Sequence, residues 1–322
     1  MKRREFMVLT ASVAAVLGLA APFASAAKVP TVGVLVIGKP DPSATLRTFR
    51  EELRKLGYVE GQNILMEVRS AEGKLDRLPG LAAQLVHDRV DVIAALFTPA
   101  VLAAKHATSE IPIVMIAAGD PVGMGIVASF ARPGGNITGM ASQTTQLAAK
   151  QVELLKDALP GLRRIAALTN SVDPFSKPFL QQIERAGKTE NIEIVPVQVI
   201  AGPTLDAAFP TMASKKVRAV IVQPSLPLAH VAQLALRYRI PAVSPNGHFA
   251  DDGGLMSYAN APEEAPRLAA SFIDKILKGA KPADLPVEQP LRLQLVINLK
   301  TAKALGLNLP ADFVLRADEV IE

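Results

Sequence analysis

Residues 31–37 read TVGVLVI, residues 90–95 read VDVIAA and residues 111–117 read IPIVMIA. These runs are almost wholly apolar and lack the alternation of a strand with one exposed face. Segments with helical spacing lie between them, such as residues 43–56, where the apolar side chains recur every three or four positions. Continuous apolar strands separated by helices are typical of a parallel sheet that helices cover on both faces. This stretch therefore predicts an α/β fold.

The alternation of strand and helix starts again after a glycine-rich break, RPGGN at residues 132–136. Further strands are predicted at 164–168, 192–199, 219–222 and 241–244, and the elements left over are a strand at 254–258, a helix at 263–277 and a strand at 291–297. We therefore predict two open α/β lobes of similar plan, with a chain that crosses back between them. The first lobe is expected to comprise residues 27–140 plus 254–286, and the second residues 141–253 plus 287–322.

Residues 1–26 predict an export signal that is removed from the mature protein. A basic start at residues 2–4 precedes the short apolar run Met7–Ala21, and Ala24-Ser25-Ala26 offers the small residues that a signal peptidase recognises. Arg3-Arg4 favours the twin-arginine route, with an ordinary signal peptide as the alternative. Cleavage near Ala26 would place the protein in the periplasm, and without cysteine we expect no lipid anchor.

The composition excludes several classes of function. The chain has 322 residues, no cysteine and no tryptophan, so it has no disulfide, thiolate nucleophile or cysteine-ligated metal. Its net charge is +5, and the export signal holds three basic residues and one acidic residue. The mature chain thus has a small net charge and no basic cluster, and we expect no binding to nucleic acid.

Catalytic motifs are absent as well. The sequence contains no G-x-S-x-G, H-E-x-x-H or G-x-x-x-x-G-K-[ST]. Gly123–Ala128 matches G-x-G-x-x-A, but it follows the fourth predicted strand, and the next acidic residue, Glu153, is too distant to bind a ribose. The four histidines are isolated: His87, His106, His230 and His248. We therefore predict a protein that is not an enzyme, with no catalytic residue, no cofactor and no metal.

Ligands of open parallel sheets lie beyond the carboxyl ends of the strands. Two such rows of turns that face each other would form a cleft between the lobes, where small-molecule sites are common. The candidate ligand-binding residues are Phe97, Thr98, Pro99, Asp120, Pro121, Asn170, Asp173, Gln223, Asn246, His248 and Phe249.

Some of these side chains suggest specific roles. Thr98 precedes a proline at a predicted helix start, so its hydroxyl either donates to a ligand carboxylate or carbonyl or only caps the helix. Asp120 and Asp173 would accept from an ammonium group, or each would only shape a turn before a proline. Phe97 and Phe249 would cover an apolar body. We expect a small amino-acid-like or nitrogenous solute, and the lack of tryptophan disfavours a sugar.

Six stretches together resemble a known family. They are LGYVEGQN at 56–63, TPA at 98–100, GDPVG at 119–123, ARPGGN at 131–136, DGGLMSY at 252–258 and VINLKTA at 296–302. They are similar to the substrate-binding proteins of ATP-binding-cassette (ABC) importers, in the subgroup related to tryptophan- and phenylalanine-binding periplasmic proteins. The resemblance covers essentially the whole mature chain. Leu96-Phe97 and residues 170–174 depart from the relatives' pattern, so the ligand itself is not implied.

The resemblance implies a type I periplasmic binding fold, with two Rossmann-like lobes, three crossover strands and hinge closure over a ligand. We expect the hinges near residues 139–142, 249–254 and 285–288. It further implies that a monomer delivers its small-molecule ligand to an ABC permease in the inner membrane. The alternative function is that of an exported ligand sensor of the same fold, which presents its ligand to a signalling partner.

Overall fold

The computed structural model describes residues 28–38, 44–200 and 204–322, so the predicted export signal lies outside the described residues. The first lobe is built on a parallel five-stranded sheet of order β2-β1-β3-β4-β5. Its elements in chain order are β1 (Thr31–Val36), α1 (Ala44–Lys55), β2 (Leu65–Ser70), α2 (Leu78–His87), β3 (Val92–Leu96), α3 (Phe97–Ala107), β4 (Ile113–Gly119) and β5 (Ile137–Ser142).

The rest of the chain forms a seven-stranded sheet, the helices that cover it, and helix α8, which packs on the first sheet. The elements are α4 (Thr144–Ala158), β6 (Arg164–Asn170), α5 (Ser176–Glu190), β7 (Glu193–Val199), α6 (Leu205–Ser214), β8 (Ala219–Val222), α7 (Leu228–Arg237), β9 (Ala242–Ser244), β10 (Met256–Asn260), α8 (Glu264–Leu277), β11 (Leu293–Asn298), α9 (Leu299–Leu305), α10 (Ala311–Val314) and β12 (Glu319–Ile321). The strand order is β12-β11-β10-β9-β8-β6-β7, and only β10 and β11 pair antiparallel.

Each sheet is buried on both faces, which explains the continuous apolar runs. In the first lobe, Ile93 and Met115 pack against α2 and α3, whereas Val34 and Val92 pack on the opposite face. Two apolar clusters cover the second sheet in the same way. The predicted α/β class with two lobes is confirmed. Within the described residues, no helix combines the length and the apolar character needed to cross a bilayer.

The division of the chain between the lobes differs from the prediction. Strand β10 was expected in the first lobe, but it pairs with β9 and β11 in the second sheet. The predicted hinge at residues 249–254 is therefore wrong, since this segment lies within the second lobe. A strand's own residues do not specify its pairing partner, and here the core contacts of Met256 in the second lobe decide it.

Helix α8 does belong to the first lobe, as expected. Its apolar face, with Ala269 and Ile273, packs against the first sheet. The described chain thus passes between the lobes at residue 143, at residues 261–263 and between residues 289 and 292. Before the last crossing, Glu288 pairs with β5, since its N–H donates to Gly139 O at 3.0 Å and its carbonyl accepts from Ala141 N at 2.9 Å.

A hydrogen bond between side chains holds α8 to the first lobe. The Tyr58 hydroxyl donates to Asp274 Oδ1 at 3.0 Å. Burial, followed by the hydrogen bond to Asp274 and the negative charge of that carboxylate, raises the pKa of Tyr58 to about 12. The phenol therefore stays protonated as a donor across the physiological pH range.

We expect Tyr58→Phe to lower the free energy of unfolding by about 1 kcal/mol, because it removes a partly buried hydrogen bond to a carboxylate. Urea denaturation monitored by circular dichroism measures the change. Tyr238→Phe is the matched control, since no hydrogen bond of that hydroxyl is seen among the described residues. Equal stability of Tyr58→Phe and wild type would contradict this role of the Tyr58 hydroxyl.

Candidate functional site

Two adjoining cavities lie between the lobes, at the carboxyl ends of the strands of both sheets. The large cavity has a volume of about 90 Å³, and the small cavity about 20 Å³. Phe97 and Ala117 from the first lobe and Pro224 from the second lobe line both cavities. The two cavities therefore form one interlobe cleft, as expected for ligands of open α/β sheets.

The first-lobe wall of the cleft has an unusual backbone conformation. Phe97 and Ala117 have φ angles of 65° and 58°, which lie in the left-handed region. Residues other than glycine rarely adopt this conformation. Ala117 is the extra residue of a β-bulge between Ile116 and Ala118. Such conformations cost about 1–3 kcal/mol each and cluster at binding sites, where bulges turn a side chain toward a ligand. The strain thus coincides with the cleft.

Thr98 connects the two strained strand ends. It is 2% exposed, and its Oγ1 accepts a hydrogen bond from Gly119 N at 2.9 Å. Helix α3 begins at Phe97 and has no side-chain cap, so the alternative of a simple helix cap is wrong. The hydroxyl instead ties α3 to the end of β4. Thr98 lines the small cavity together with Pro99, and donation from its hydroxyl to a ligand stays a prediction.

A buried network fills the second-lobe side of the small cavity. Asp173 is 3% exposed, and its Oδ1 accepts from Phe175 N at 2.8 Å. Its Oδ2 accepts from Gln223 Nε2 at 2.7 Å. Gln223 Oε1 in turn accepts from Asn170 N at 2.9 Å. These bonds fix the orientation of both side chains that face the cavity, whereas Asn170 lies behind them.

The carboxylate of Asp173 carries an electrostatic cost. Burial raises the pKa of Asp173 above its ordinary value, and the nearby Ser225 hydroxyl and the Phe175 N–H oppose that rise. The Ser225 hydroxyl is buried in the cavity wall without a hydrogen bond of good geometry to any described residue. A positively charged or hydrogen-bonding ligand group here would satisfy both side chains.

The large cavity is lined by amide and imidazole side chains on its second-lobe side. Asn246 Oδ1 accepts from the backbone N–H of His248 at 3.0 Å, and both residues line the cavity. His248 Nδ1 lies 3.7 Å from the Asp251 carboxylate. Burial raises the pKa of Asp252. The electrostatic effect of His248 opposes this rise, and the negative charge of Asp251 adds to it. Asn260 Nδ2 is buried and has no partner among the described residues, so it can donate to a ligand.

The predicted site residues separate into two groups. Lining the cleft are Phe97, Thr98, Pro99, Asp173, Gln223, Asn246 and His248. Outside its lining are Asp120, Pro121, Asn170 and Phe249. Asp120 is exposed, and its Oδ1 accepts from Gly123 N at 3.0 Å, so it shapes its own turn. Phe249 is fully buried in the second-lobe core, so its expected position over a ligand is wrong.

Several lining residues were not predicted from the sequence. They are Ala117, Met140, Ser142, Thr144, Phe175, Ser225 and Asn260. Ser225 lies just beyond the predicted strand at 219–222 and two residues after the candidate Gln223, so its position at a strand end could have pointed to it. The side chains of Ser142 and Thr144 flank the first crossing between the lobes, and no local pattern marks such a crossing.

We expect Thr98→Val to lower the free energy of unfolding by about 1–3 kcal/mol, because it leaves the buried Gly119 N–H without its acceptor. Thr98→Ser keeps the hydroxyl and is the matched control. Thermal and urea denaturation of both variants measure the change. If the valine variant proves no less stable than the serine variant, the bond to Gly119 contributes nothing to stability.

Asp173 should give the stability a characteristic pH dependence. Its folded pKa is raised, so between the ordinary aspartate value and the raised value the folded protein binds a proton that the unfolded chain does not. The stability of wild type relative to Asp173→Asn should therefore increase as pH falls through that window. Urea denaturation at a series of pH values measures this difference, and Asp120→Asn controls for the loss of one carboxylate. A relative stability that falls with decreasing pH would refute the assignment.

Comparison with known proteins accounts for this architecture. Residues 31–321 match the family model described as ABC transporter substrate binding protein. A curated relative, the "Tyrosine-binding protein" of Clostridioides difficile, is 27% identical over 292 residues, covering 88% of this chain and 84% of that protein.

Two solved structures share the fold over 91% of this chain. An ABC domain in complex with L-Trp from Streptococcus pneumonia has a TM-score of 0.81 and 27% identity, and 99% of it is covered. A conserved domain protein from Vibrio cholerae has a TM-score of 0.83 and 24% identity, and all of it is covered. With the family model spanning both lobes and the cleft between them, the chain belongs to the ABC transporter substrate-binding proteins and has the type I periplasmic binding fold.

Proposed function

We propose that this protein binds a small amino-acid-like or nitrogenous solute in the interlobe cleft and delivers it to the permease of an ABC importer. The observation that carries the proposal is the buried Asp173 carboxylate in the wall of a cleft that both lobes line. A ligand ammonium would offset the cost of this buried charge. The named relatives bind tyrosine and L-Trp, which are solutes of the proposed class.

The other walls of the cleft suit the rest of such a ligand. Asn260 Nδ2 and the Ser225 hydroxyl are buried polar groups with unused hydrogen-bonding capacity. Phe97, Ile116 and Met140 supply an apolar surface in the large cavity for an aliphatic or aromatic body. An apolar wall with a few convergent polar groups is the usual composition of a small-molecule site.

Binding without catalysis fits the chemistry of the cleft. Asp173 is held by the hydrogen bonds from Phe175 and Gln223 rather than by a nucleophile that it would activate. Across the residues that the structure describes, no group of three or more histidine or acidic side chains could hold a metal ion. We propose a receptor rather than an enzyme, and we further propose that it works as a monomer in the periplasm after removal of the export signal that residues 1–26 predict.

The ligand class can be tested by thermal shift. We expect aromatic and other amino acids to raise the melting temperature of the purified protein, because a ligand at 100 times its Kd adds about 2.7 kcal/mol to stability. Purines and aromatic carboxylates test the wider nitrogenous and aromatic classes, and sugars and oxyanions complete the panel. Stabilisation by sugars or oxyanions alone would overturn the proposal.

The role of Asp173 is tested in the same assay. Asp173→Asn should weaken binding of the best amino acid by about tenfold or more, since the lost charge-assisted contact is worth roughly 1.5–3 kcal/mol. Asp120→Asn is the matched control, because Asp120 has the same side chain at an exposed strand end outside the cleft. If both variants bind the amino acid with equal affinity, Asp173 is not the residue that binds the ligand ammonium.

Uptake of the labelled ligand by cells that lack this protein distinguishes import from sensing. If this protein is the binding component of an importer, cells that lack it should not take up the ligand. Unchanged uptake together with loss of a response to the ligand would instead identify the exported sensor.

A further inference from the structure

An aromatic side chain of the second lobe lies directly on the backbone of the first lobe. Gly119 ends β4, and Phe175 lies in the loop between β6 and α5. A Cβ atom built on Gly119 would lie 2.8 Å from Phe175 Cε1 and still closer to Cε2 and Cζ. Real Cβ atoms do not approach carbon atoms this closely, and Phe175 is only 5% exposed. Any side chain at position 119 would therefore collide with this ring.

Both halves of the contact are held rigidly by their own lobes. On the first-lobe side, the N–H of Gly119 donates to the buried Thr98 Oγ1 at 2.9 Å. On the second-lobe side, the N–H of Phe175 donates to Asp173 Oδ1 at 2.8 Å. The Phe175 ring also packs on the fully buried Phe179, with ring centroids 6.4 Å apart. Neither half can easily move aside without disturbing a buried hydrogen bond or the core.

We propose that Phe175 and Gly119 form an interlobe latch that stabilises the closed arrangement of the lobes. The inference rests on the proposed function, since it concerns closure around the same cleft. Part of the ring faces the backbone of Gly119, so closing the lobes shields that part from water, and this burial favours closure before any ligand contributes. The ring can lie against the first lobe in this way only because residue 119 has no side chain. The latch thereby sets the fraction of molecules that are competent to retain a ligand.

The affinity for a ligand then depends on residues that do not contact the ligand. If only a fraction of the molecules can close, the apparent Kd is the intrinsic Kd divided by that fraction. A methyl group at position 119 that wedges the lobes apart would lower the fraction and weaken every ligand by the same factor. A direct contact between residue 119 and one ligand would instead affect ligands according to their shape.

The central variant is Gly119→Ala, and Phe175→Leu is its designed suppressor. Leucine lacks the outer ring atoms Cε1, Cε2 and Cζ that the new methyl group would meet, but it keeps an apolar side chain in the core. Gly80→Ala is the matched control, because a Cβ at this exposed helix position meets nothing within 4 Å. Thermal denaturation of each variant confirms that it is folded.

Closure can be measured without any ligand. The chain has no cysteine, so spin labels can be placed on Glu51→Cys in α1 of the first lobe and Gln181→Cys in α5 of the second lobe. Pulsed electron resonance then gives the interlobe distance distribution. We expect a short-distance population in wild type and Gly80→Ala, its loss in Gly119→Ala, and its partial return in Gly119→Ala/Phe175→Leu, where the clash is relieved but the stabilising ring is missing.

The Kd of the best amino acid from the thermal-shift panel is measured on the same variants. Gly119→Ala should weaken binding by about tenfold or more, and by little in the Phe175→Leu background. The latch is overturned if ligand-free wild type shows no short-distance population, if Gly119→Ala leaves that population unchanged, or if the effect of Gly119→Ala persists in the Phe175→Leu background. If no amino acid binds wild type, the proposed function fails, while the distances still decide the latch.

Discussion

Parallel pairing of the strands is the constraint on which the cleft depends. In a parallel sheet all carboxyl ends lie at one edge, so the segments after β3, β4, β6, β8 and β9 are brought together although they are far apart in the chain. The buried apolar strands hold that edge rigid. Turns beyond it are then free to carry polar side chains, and the two edges face each other across the lobes.

The cleft concentrates features that lower the stability of the folded chain. Asp173 holds a carboxylate in a buried position that raises its pKa, and Phe97 and Ala117 hold strained backbones. Asn260 and Ser225 bury polar atoms without partners among the described residues. Packing elsewhere in the two cores offsets these costs, which are small beside the gain from burying two doubly covered sheets. The proposed ligand would satisfy these unused polar groups and the Asp173 carboxylate, which has no ion-pair partner among the described residues.

The same hydrogen-bond network links the proposed ligand site to the proposed latch. Asp173 faces the small cavity and also binds the backbone of Phe175, whose ring touches the first lobe at Gly119. Thr98 holds Gly119 and lines the same cavity. The proposed ammonium site and the proposed latch therefore share one set of hydrogen bonds. One hydrogen bond, from Phe175 N to Asp173 Oδ1, thus joins the proposed ammonium site to the ring of the proposed latch.

The sequence by itself determined the fold class, most of the strands and helices and the general position of the interlobe cleft, but it did not indicate β5, α9, α10 or β12. These features depend on local hydrophobic patterns and on turns at strand ends, which one segment of chain displays on its own. The tertiary structure decided that β10 pairs in the second sheet, that Phe249 turns into the core and that Asp120 bonds to its own turn. It also decided that Gly119 meets Phe175 across the cleft. Pairing partners, side-chain directions and close contacts between lobes arise from packing among distant segments, so no local pattern specifies them.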